Sequence, residues 1–193
     1  VSIVGETIDV FGTDAQKEKY LKPTLAGELC CAEALTEPRG GSDFFGATTT
    51  ARREGDHYIL NGTKNWITNG GHADVYLVMA QTDREKGHRG INCLIMTRDM
   101  EGFVVGPKEN KLGIRGSDTH TLQFNDVKVP KSNRIGEDGF GFKFAMKTLA
   151  GGRIGIAAQA LGIAAGAYEL ALKYSKERKA FGTEIANHQA IAF

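Results

Sequence analysis

LTEPRGGSD at residues 35–43 and WITNGG at residues 66–71 are the two stretches that decide how this chain folds. Each stretch ends in a glycine-rich turn, which exposes backbone N–H groups beside hydroxyl side chains. Between them, Gly55-Asp56 and Asn61-Gly62 are hairpin signals flanked by strand-forming residues. The pattern predicts one small sheet that holds two hydroxyl-bearing loops together. Such a site suits a flat polar ring with many hydrogen-bonding positions and an anion nearby.

The composition is that of an ordinary soluble globular protein and argues against several classes of protein. Of 193 residues, 41% are hydrophobic and 24% charged, which is enough material for one large domain or parts of two. The formal net charge of +1 gives no sign of general nucleic-acid binding. The three cysteines lie at positions 30, 31 and 93 without CxxC spacing, so neither a zinc knuckle nor a disulfide framework is expected. A reduced intracellular compartment is the simplest interpretation.

The sequence at both ends of the chain is typical of a segment cut from a longer protein. The sequence begins with Val1 rather than Met and shows no signal-peptide pattern. It ends at Phe193, inside what reads as a helix. We therefore expect the chain to be a segment of a larger polypeptide.

Local patterns predict a helical part, then a block of strands, then helices again. TDAQ at 13–16 is a capping box for a helix that should stop before Pro23. Short β-branched or aromatic runs predict strands in a barrel or sandwich. The runs cover residues 57–61, 64–68, 75–81, 91–97, 103–105 and 119–124.

The last part of the chain predicts one long helix over residues 140–179, ended by Gly182, with another helix beginning at Glu184. Residues 154–172 are apolar enough to raise the question of a membrane span. Gln159 and Glu169 interrupt this stretch, and its many Ala and Gly residues are only weakly hydrophobic. Close packing between helices is therefore the preferred interpretation, and no membrane insertion is expected.

Four motifs resemble those of the acyl-CoA dehydrogenases, in that family's order and spacing. They are TEPRGGSD at 36–43, WITNG at 66–70, KLGIR at 111–115 and ERKAFG at 177–182. Members of this family use FAD to introduce a double bond between Cα and Cβ of an acyl-CoA, and the likeness is greatest to the short-chain, butyryl type. The resemblance implies an α+β multidomain fold. Residues 1–28 would end an N-terminal helical domain, 29–137 would form the middle β domain, and 138–193 would begin a C-terminal helical bundle.

The same resemblance implies a set of binding residues. Trp66 alone would more often be a core aromatic, and Thr36 or Thr68 alone an ordinary turn or strand residue, so their combination carries the assignment. The residues implied to bind FAD are Leu35, Thr36, Trp66, Ile67, Thr68, Arg178, Phe181, His188 and Gln189, with Arg178 and Phe181 reaching the FAD of a neighbouring subunit. The residues implied to bind the acyl-CoA substrate are Ser42, His88 and Arg153.

No catalytic base is found in the chain. The family uses a glutamate to remove the Cα proton, and the isovaleryl and long-chain types carry it at the position of Gly152 here. We therefore expect the base C-terminal of Phe193, and the segment alone to be inactive. Glu37 beside Pro38 and Glu33 are poor substitutes.

Two residues depart from the family pattern. Glu33 stands where an aromatic near the flavin is usual, and Ala150 stands where many members have an Asp that contacts CoA. Family membership further implies an electron-transfer flavoprotein as partner, a homotetramer, and a location in the bacterial cytoplasm or mitochondrial matrix. Two alternatives stay open: an acyl-CoA oxidase-type flavoenzyme that uses O2, and a non-catalytic β-sandwich binding or scaffold module.

Overall fold

The computed structural model describes residues 2–43 and 46–193. Two compact units are formed, one extending to Leu149 and the other comprising Ala150–Phe193. The three-domain division expected from the family resemblance stays a prediction.

The first unit opens with helical turns: α1 (Ser2–Phe11), α2 (Asp14–Gln16), a π-helical turn (Lys17–Leu21) and α3 (Lys22–Leu25). The predicted capping box is confirmed, since the Gln16 amide N–H donates to the Thr13 hydroxyl at 3.2 Å and the Thr13 N–H donates to Gln16 Oε1 at 3.0 Å. The predicted stop before Pro23 is wrong. Pro23 lies in the first turn of α3, where a missing N–H costs little, and the π turn before it shifts the bonding pattern, with Lys22 N–H donating to Lys17 O.

Within the described part of the first unit, eight strands form one mixed sheet, which confirms the predicted all-β middle block. The strands are β1 (Cys31–Ala34), β2 (Thr50–Glu54), β3 (His57–Thr68), β4 (Val75–Gln81), β5 (Ile91–Thr97), β6 (Phe103–Lys108), β7 (Thr119–Pro130) and β8 (Arg134–Ile135). The order across the sheet is β6-β7-β3-β2-β4-β5-β8, with β1 parallel to β4. Residues 75–81 and 91–97 are strands as predicted, whereas β1 and β8 were not predicted.

One of the two predicted hairpin turns is correct. Glu54 pairs with His57 around Gly55-Asp56, so β2 and β3 form a hairpin there. Asn61-Gly62 is not a turn, and β3 continues through it; the extra residue at this point lies in β7, where the step from Val127 to Phe124 is opposite the step from Leu60 to Gly62. Gly62 has φ +143° there, and a Cβ at this position would lie 2.7 Å from the Thr49 Cα. The glycine therefore serves close backbone approach rather than chain reversal.

Strand β4 separates two hydrophobic cores and is buried along its whole length. Tyr76, Val78 and Ala80 face the core shared with β3 and β7. Val75, Leu77 and Met79 face a second core, which includes residues of α1, of β5 and of the start of the next helix. Because β1 is parallel to β4, the segment after β1 begins beside the end of β3.

The second unit continues the helix α4 (Gly141–Glu177), which confirms the predicted long helix. It is followed by β9 (Lys179–Ala180), β10 (Thr183–Glu184), a 3-10 turn (Ile185–Asn187) and α5 (Gln189–Ala192). The prediction that Gly182 ends the helix is wrong. Phe181 and Gly182, with φ 55° and 79°, form the turn between β9 and β10, as a two-residue hairpin loop requires. The helix predicted from Glu184 begins only at Gln189.

By length and composition alone, α4 is long and apolar enough to cross a membrane. Its exposed side chains include Ile154, Leu161, Ile163 and Leu170. The same length and composition are found in the buried helix of a soluble bundle.

Candidate functional site

A cavity of about 350 Å³ lies in the first unit, between β1, the end of β3 and helix α1. Its volume falls within the range of small-molecule sites. Five residues that the sequence assigned to a flat cofactor form part of its wall: Leu35, Thr36, Trp66, Ile67 and Thr68. The remaining wall residues are Ile3, Val4, Cys31, Ala32, Glu33, Asn69 and Leu149.

A buried lysine fixes the first loop of the cavity. Lys64, with a fully buried side chain, donates from Nζ to the Leu35 carbonyl at 3.0 Å and to Glu37 Oε1 at 2.8 Å. The Asn65 N–H donates to the Thr36 carbonyl at 2.9 Å. Three bonds from β3 therefore hold residues 35–37, and the Thr36 side chain is presented to the cavity by a fixed backbone.

The Lys64–Glu37 pair is nearly closed to solvent. Burial by itself would raise the pKa of Glu37, but the Lys64 ammonium and hydrogen bonds from Thr48 lower it to about 2. Burial lowers the pKa of Lys64, and Glu37 opposes that change. The Thr49 N–H adds a bond to Glu37 Oε1 at 3.0 Å. Glu37 is thus a structural carboxylate, fully occupied and weakly basic.

The second loop is held by Asp118. Its backbone carbonyl accepts the Asn69 N–H at 2.9 Å, and its carboxylate accepts the Gly71 N–H at 2.8 Å. The Asn69 side chain donates to the Cys31 carbonyl at 3.2 Å, which ties this loop to β1. Trp66 has φ 57°, an uncommon backbone conformation for a bulky residue, and such strain often marks functional sites.

Two hydroxyl groups of the cavity wall are available to a ligand. Within residues 2–43 and 46–193, neither the Thr36 nor the Thr68 side chain donates or accepts a hydrogen bond within the protein. Beside them, Ile67 is buried, whereas 61% of the Trp66 surface is exposed. The wall therefore combines unused hydrogen-bonding groups with an aromatic side chain, which are the contacts a flat heteroaromatic ring needs.

A carboxyl group also lines the cavity. Glu33 lies in β1, and burial raises its pKa to about 7. No basic side chain contributes to that shift. The sequence identified Glu33 as a departure from the family but did not predict its ionisation behaviour.

The predicted substrate residues are not part of this wall. Ser42 is exposed in the loop after residue 41, and His88 is exposed in the 3-10 turn Arg84–Gly90, with its ring 5.4 Å from that of Phe142. Arg153 lies on α4 in the second unit. Their roles stay predictions.

Four predicted cofactor residues lie in the second unit. Phe181 is 98% exposed, and its ring centroid is 6.0 Å from that of His188. The carbonyl of Arg178 accepts the Ile185 N–H at 2.8 Å, and Gln189 begins α5. The hairpin thus brings Phe181 and His188 together, and the assignment of all four residues to FAD stays a prediction.

Sequence reasoning missed Lys64 and Asp118, the residues that hold the two loops. A signal for Lys64 was present, because the inward positions Tyr58 and Leu60 predict that the residue at 64 also points inward. A lysine there requires a buried anion, and Glu37 is that anion. The contacts of Asp118 depend on its distance from Asn69 in space, and the sequence carries no local signal for them. Among the described residues, no group of three or more His, Cys, Asp or Glu side chains is arranged to hold a metal ion.

Two family models match the chain and together cover most of it. The model described as "Acyl-CoA dehydrogenase, middle domain" matches residues 32–127, and "Acyl-CoA dehydrogenase, C-terminal domain" matches residues 139–193. The chain therefore belongs to the acyl-CoA dehydrogenase family.

Curated relatives agree with this membership. The chain is 51% identical over 192 residues to the short-chain-specific acyl-CoA dehydrogenase of Clostridium acetobutylicum, covering 100% of this chain and 51% of that protein. It is 49% identical over 192 residues to the caffeyl-CoA reductase-Etf complex subunit CarC of Acetobacterium woodii, with the same shares covered. The chain thus spans about half the length of the curated relatives it matches.

Solved structures show the same fold. Butyryl-CoA dehydrogenase from Megasphaera elsdenii superposes with a TM-score of 0.96 at 51% identity, over 100% of this chain and 51% of that one. A glutaryl-CoA dehydrogenase from Mycobacterium smegmatis in complex with FADH2 superposes with a TM-score of 0.91 at 35% identity, over 99% and 48%. The predicted fold class is confirmed.

Proposed function

We propose that the protein is an FAD-dependent acyl-CoA dehydrogenase that introduces an α,β double bond into a short-chain acyl-CoA and passes the electrons to an electron-transfer flavoprotein. The observation that carries the proposal is the cavity, in which five residues from two distant stretches meet. The first relative above is named as short-chain specific, and the second as a subunit of an Etf complex. The expected homotetramer, the intracellular location and a catalytic base beyond Phe193 belong to the same proposal.

The residues of the cavity fit a flavin. Thr36 and Thr68 offer hydroxyl groups that no described residue uses, and Trp66 and Ile67 offer aromatic and aliphatic surface. Gly41 adds room, since a Cβ there would lie 3.1 Å from the Thr36 hydroxyl oxygen. A methyl group at position 41 would therefore crowd the hydroxyl that a ligand needs.

Each of these side chains has a definite task in the proposed reaction. When bound, FAD supplies the acceptor for the hydride that leaves Cβ of the acyl group. Thr36 and Thr68 donate hydrogen bonds that stabilise negative charge on the ring, and Lys64 keeps the first of these donors fixed. Trp66 covers the site and excludes water. Ser42, His88 and Arg153 are assigned to the CoA substrate.

The test is spectroscopic and uses the full-length protein with FAD bound. Anaerobic addition of butyryl-CoA is expected to bleach the flavin absorbance, whereas palmitoyl-CoA is not. A flavin that no acyl-CoA bleaches would contradict dehydrogenation, and a protein that neither retains nor takes up FAD would favour the binding or scaffold module. Peroxide formation under air at the rate of bleaching would indicate the oxidase.

A matched pair of variants connects this activity to the cavity. Thr68→Val removes a hydroxyl from the cavity wall, whereas Thr63→Val makes the same change earlier in β3, outside that wall. We expect FAD affinity to fall about tenfold in the first variant, as loss of one hydrogen bond of about 1.4 kcal/mol implies, and to stay unchanged in the second. Equal affinities in the two variants would remove Thr68 from the site.

A second candidate function is the reverse reaction, reduction of an α,β-unsaturated acyl-CoA. It is favoured by the 49% identity to a protein named as a caffeyl-CoA reductase-Etf complex subunit. Turnover rates with butyryl-CoA and with an arylacryloyl-CoA, measured separately, distinguish the two functions. Faster turnover of the unsaturated aryl substrate, with reduced electron-transfer flavoprotein as donor, would favour the reductase.

A further inference from the structure

Glu33 lies on the cavity face of β1. Ala32 and Ala34 contribute to the core shared with β3 and β7, whereas Cys31 and Leu35 pack with the opposite core. Strand alternation places Glu33 on the same side as Cys31 and Leu35. Its position in the cavity is therefore fixed by a strand that pairs along its whole length with buried β4.

Among the residues that the structure describes, no cation lowers the pKa of this carboxyl group. Apolar side chains share the cavity wall with it, among them Ile3 and Val4 from α1 and Leu149 from α4. Two thiols lie near this carboxyl group. Cys31 is on its own strand, and Cys93 is on β5, where burial raises the pKa of the thiol and the Glu33 charge adds to that change. Lys64 on β3 is engaged with Glu37 and Leu35.

We propose that Glu33 takes up one proton from solvent when the flavin in this cavity is reduced, and so makes the reduction potential of that flavin depend on pH. The proposal rests on the proposed function, which places FAD in the cavity. Reduction adds an electron pair and negative charge to the ring, and a carboxylate without a counter-ion in the same low-dielectric space opposes that charge. Protonation of the Glu33 carboxylate removes this electrostatic repulsion. The balance is one carboxylate and one solvent proton giving one carboxylic acid, and reoxidation releases the proton.

The direction of the pH effect follows from the resting state of the group. Burial raises the pKa of Glu33 to about 7, so the group is protonated before reduction in acidic solution and takes up no further proton there. Above pH 7 it begins as a carboxylate and gains a proton on reduction. The coupling is therefore confined to neutral and alkaline pH, and it lowers the potential progressively as pH rises.

The experiment compares full-length, FAD-loaded wild type with Glu33→Gln and Glu101→Gln by spectroelectrochemical titration between pH 5.5 and 9. Glu101 is an exposed carboxylate outside the cavity, so its variant controls for loss of one negative charge. We expect wild type and Glu101→Gln to gain one additional proton per two electrons above pH 7, with Glu33→Gln lacking this steeper slope. Parallel profiles for all three proteins would overturn the proposal.

A second measurement needs no variant. Infrared difference spectra of the wild type, reduced at pH 8, should show a new carboxylic acid C=O band that shifts in D2O. Absence of that band would also overturn the proposal. If the protein binds FAD and butyryl-CoA bleaches it while the profiles are parallel, only the role of Glu33 fails. If the protein binds no FAD, the proposed function is contradicted, and the role of Glu33 falls with it.

Discussion

Two glutamates four residues apart illustrate how position decides the chemistry of a carboxyl group. Glu37 is paired with Lys64 and accepts bonds from Thr48 and Thr49, and its pKa is lowered to about 2. Glu33 is buried without a charged partner among the described residues, and burial raises its pKa to about 7. The first group therefore stabilises a loop as a permanent anion, and the second is poised to change charge near neutral pH.

The raised pKa of Glu33 predicts a pH-dependent stability. Between the ordinary value of 4.5 and about 7, the folded state binds more protons at this site than the unfolded state, so the free energy of unfolding falls as pH rises through that window. The Glu33→Gln variant has no carboxyl group at this position, so its free energy of unfolding does not fall for this reason. We expect the variant to match the wild type near pH 4.5 and to be more stable at pH 8 by on the order of 2 kcal/mol, after allowance for partial exposure of the group.

Urea unfolding of both proteins at the two pH values measures this difference. Glu101→Gln again serves as the control, and it should follow the wild type throughout. A wild type as stable as Glu33→Gln at pH 8 would mean that the carboxylate finds a partner in solution.

The buried pair predicts a large effect from removing one charge. Lys64→Met leaves Glu37 buried with an uncompensated charge and removes the bond to the Leu35 carbonyl. We expect a loss of about 3 kcal/mol in the free energy of unfolding, together with weaker FAD binding. Lys128→Met, an exposed change on β7, is the control and should stay within about 0.5 kcal/mol of wild type.

The double variant Glu37→Leu with Lys64→Met separates the two contributions. It should recover part of the stability, since no buried charge remains, while FAD affinity stays low because the loop is no longer fixed. A loss below about 1 kcal/mol in the single variant would contradict the importance of the pair.

The sequence was sufficient to predict five cavity residues because they belong to two short motifs with family spacing. The alternation of β3 indicated that Lys64 points inward but not that Glu37 is its partner, and the partners of Asp118 come from elsewhere in the chain. The roles of Arg178, Phe181, His188 and Gln189 depend on contacts outside their own unit, and they stay predictions.

At the level of elements, one residue pair inside β3 shows the limit of reading turns from dipeptides. Asn61-Gly62 has the composition of a hairpin turn, yet Gly62 is held inside a strand that pairs with both β2 and β7. Strands at 75–81 and 91–97 were predictable because both are continuous apolar runs. Pairing partners on both sides outweigh a local turn preference, and a single sequence window carries no information about them.

Gly62 itself provides a test of that explanation. Gly62→Ala would place a Cβ 2.7 Å from the Thr49 Cα and impose φ +143° on a residue that disfavours it. We expect a loss of about 2–3 kcal/mol in the free energy of unfolding, because both backbone strain and a clash in the hairpin result. Gly113→Ala, where a Cβ meets no atom within 4 Å, should change it by less than about 0.5 kcal/mol.

Urea unfolding monitored by circular dichroism gives both values under the same conditions. A Gly62→Ala protein as stable as Gly113→Ala would show that β3 can pass Thr49 without the glycine, and close backbone approach would then not explain the glycine at position 62.

On the scale of the whole molecule, α4 raises the question of what covers an apolar helix. Leu161 is 72% exposed and Ile154 75% exposed in this chain. The helix falls within the match to the family's C-terminal domain, so we interpret its apolar surface as a packing face of a helical bundle. An exposed apolar helix of this length would otherwise be a liability for solubility.

A charge placed on that face distinguishes a covered helix from a solvated one in the full-length protein. Leu161→Glu should cost at least about 2 kcal/mol of stability and disturb the proposed tetramer if the face is packed, because a carboxylate would then be buried without a partner. Gln159→Glu adds the same charge to the same helix at a position that is already polar, and it should have little effect. Thermal unfolding and sedimentation velocity report the two properties separately. If Leu161→Glu unfolds and sediments like Gln159→Glu, the face is in contact with water, and the long apolar helix needs a different explanation from bundle packing.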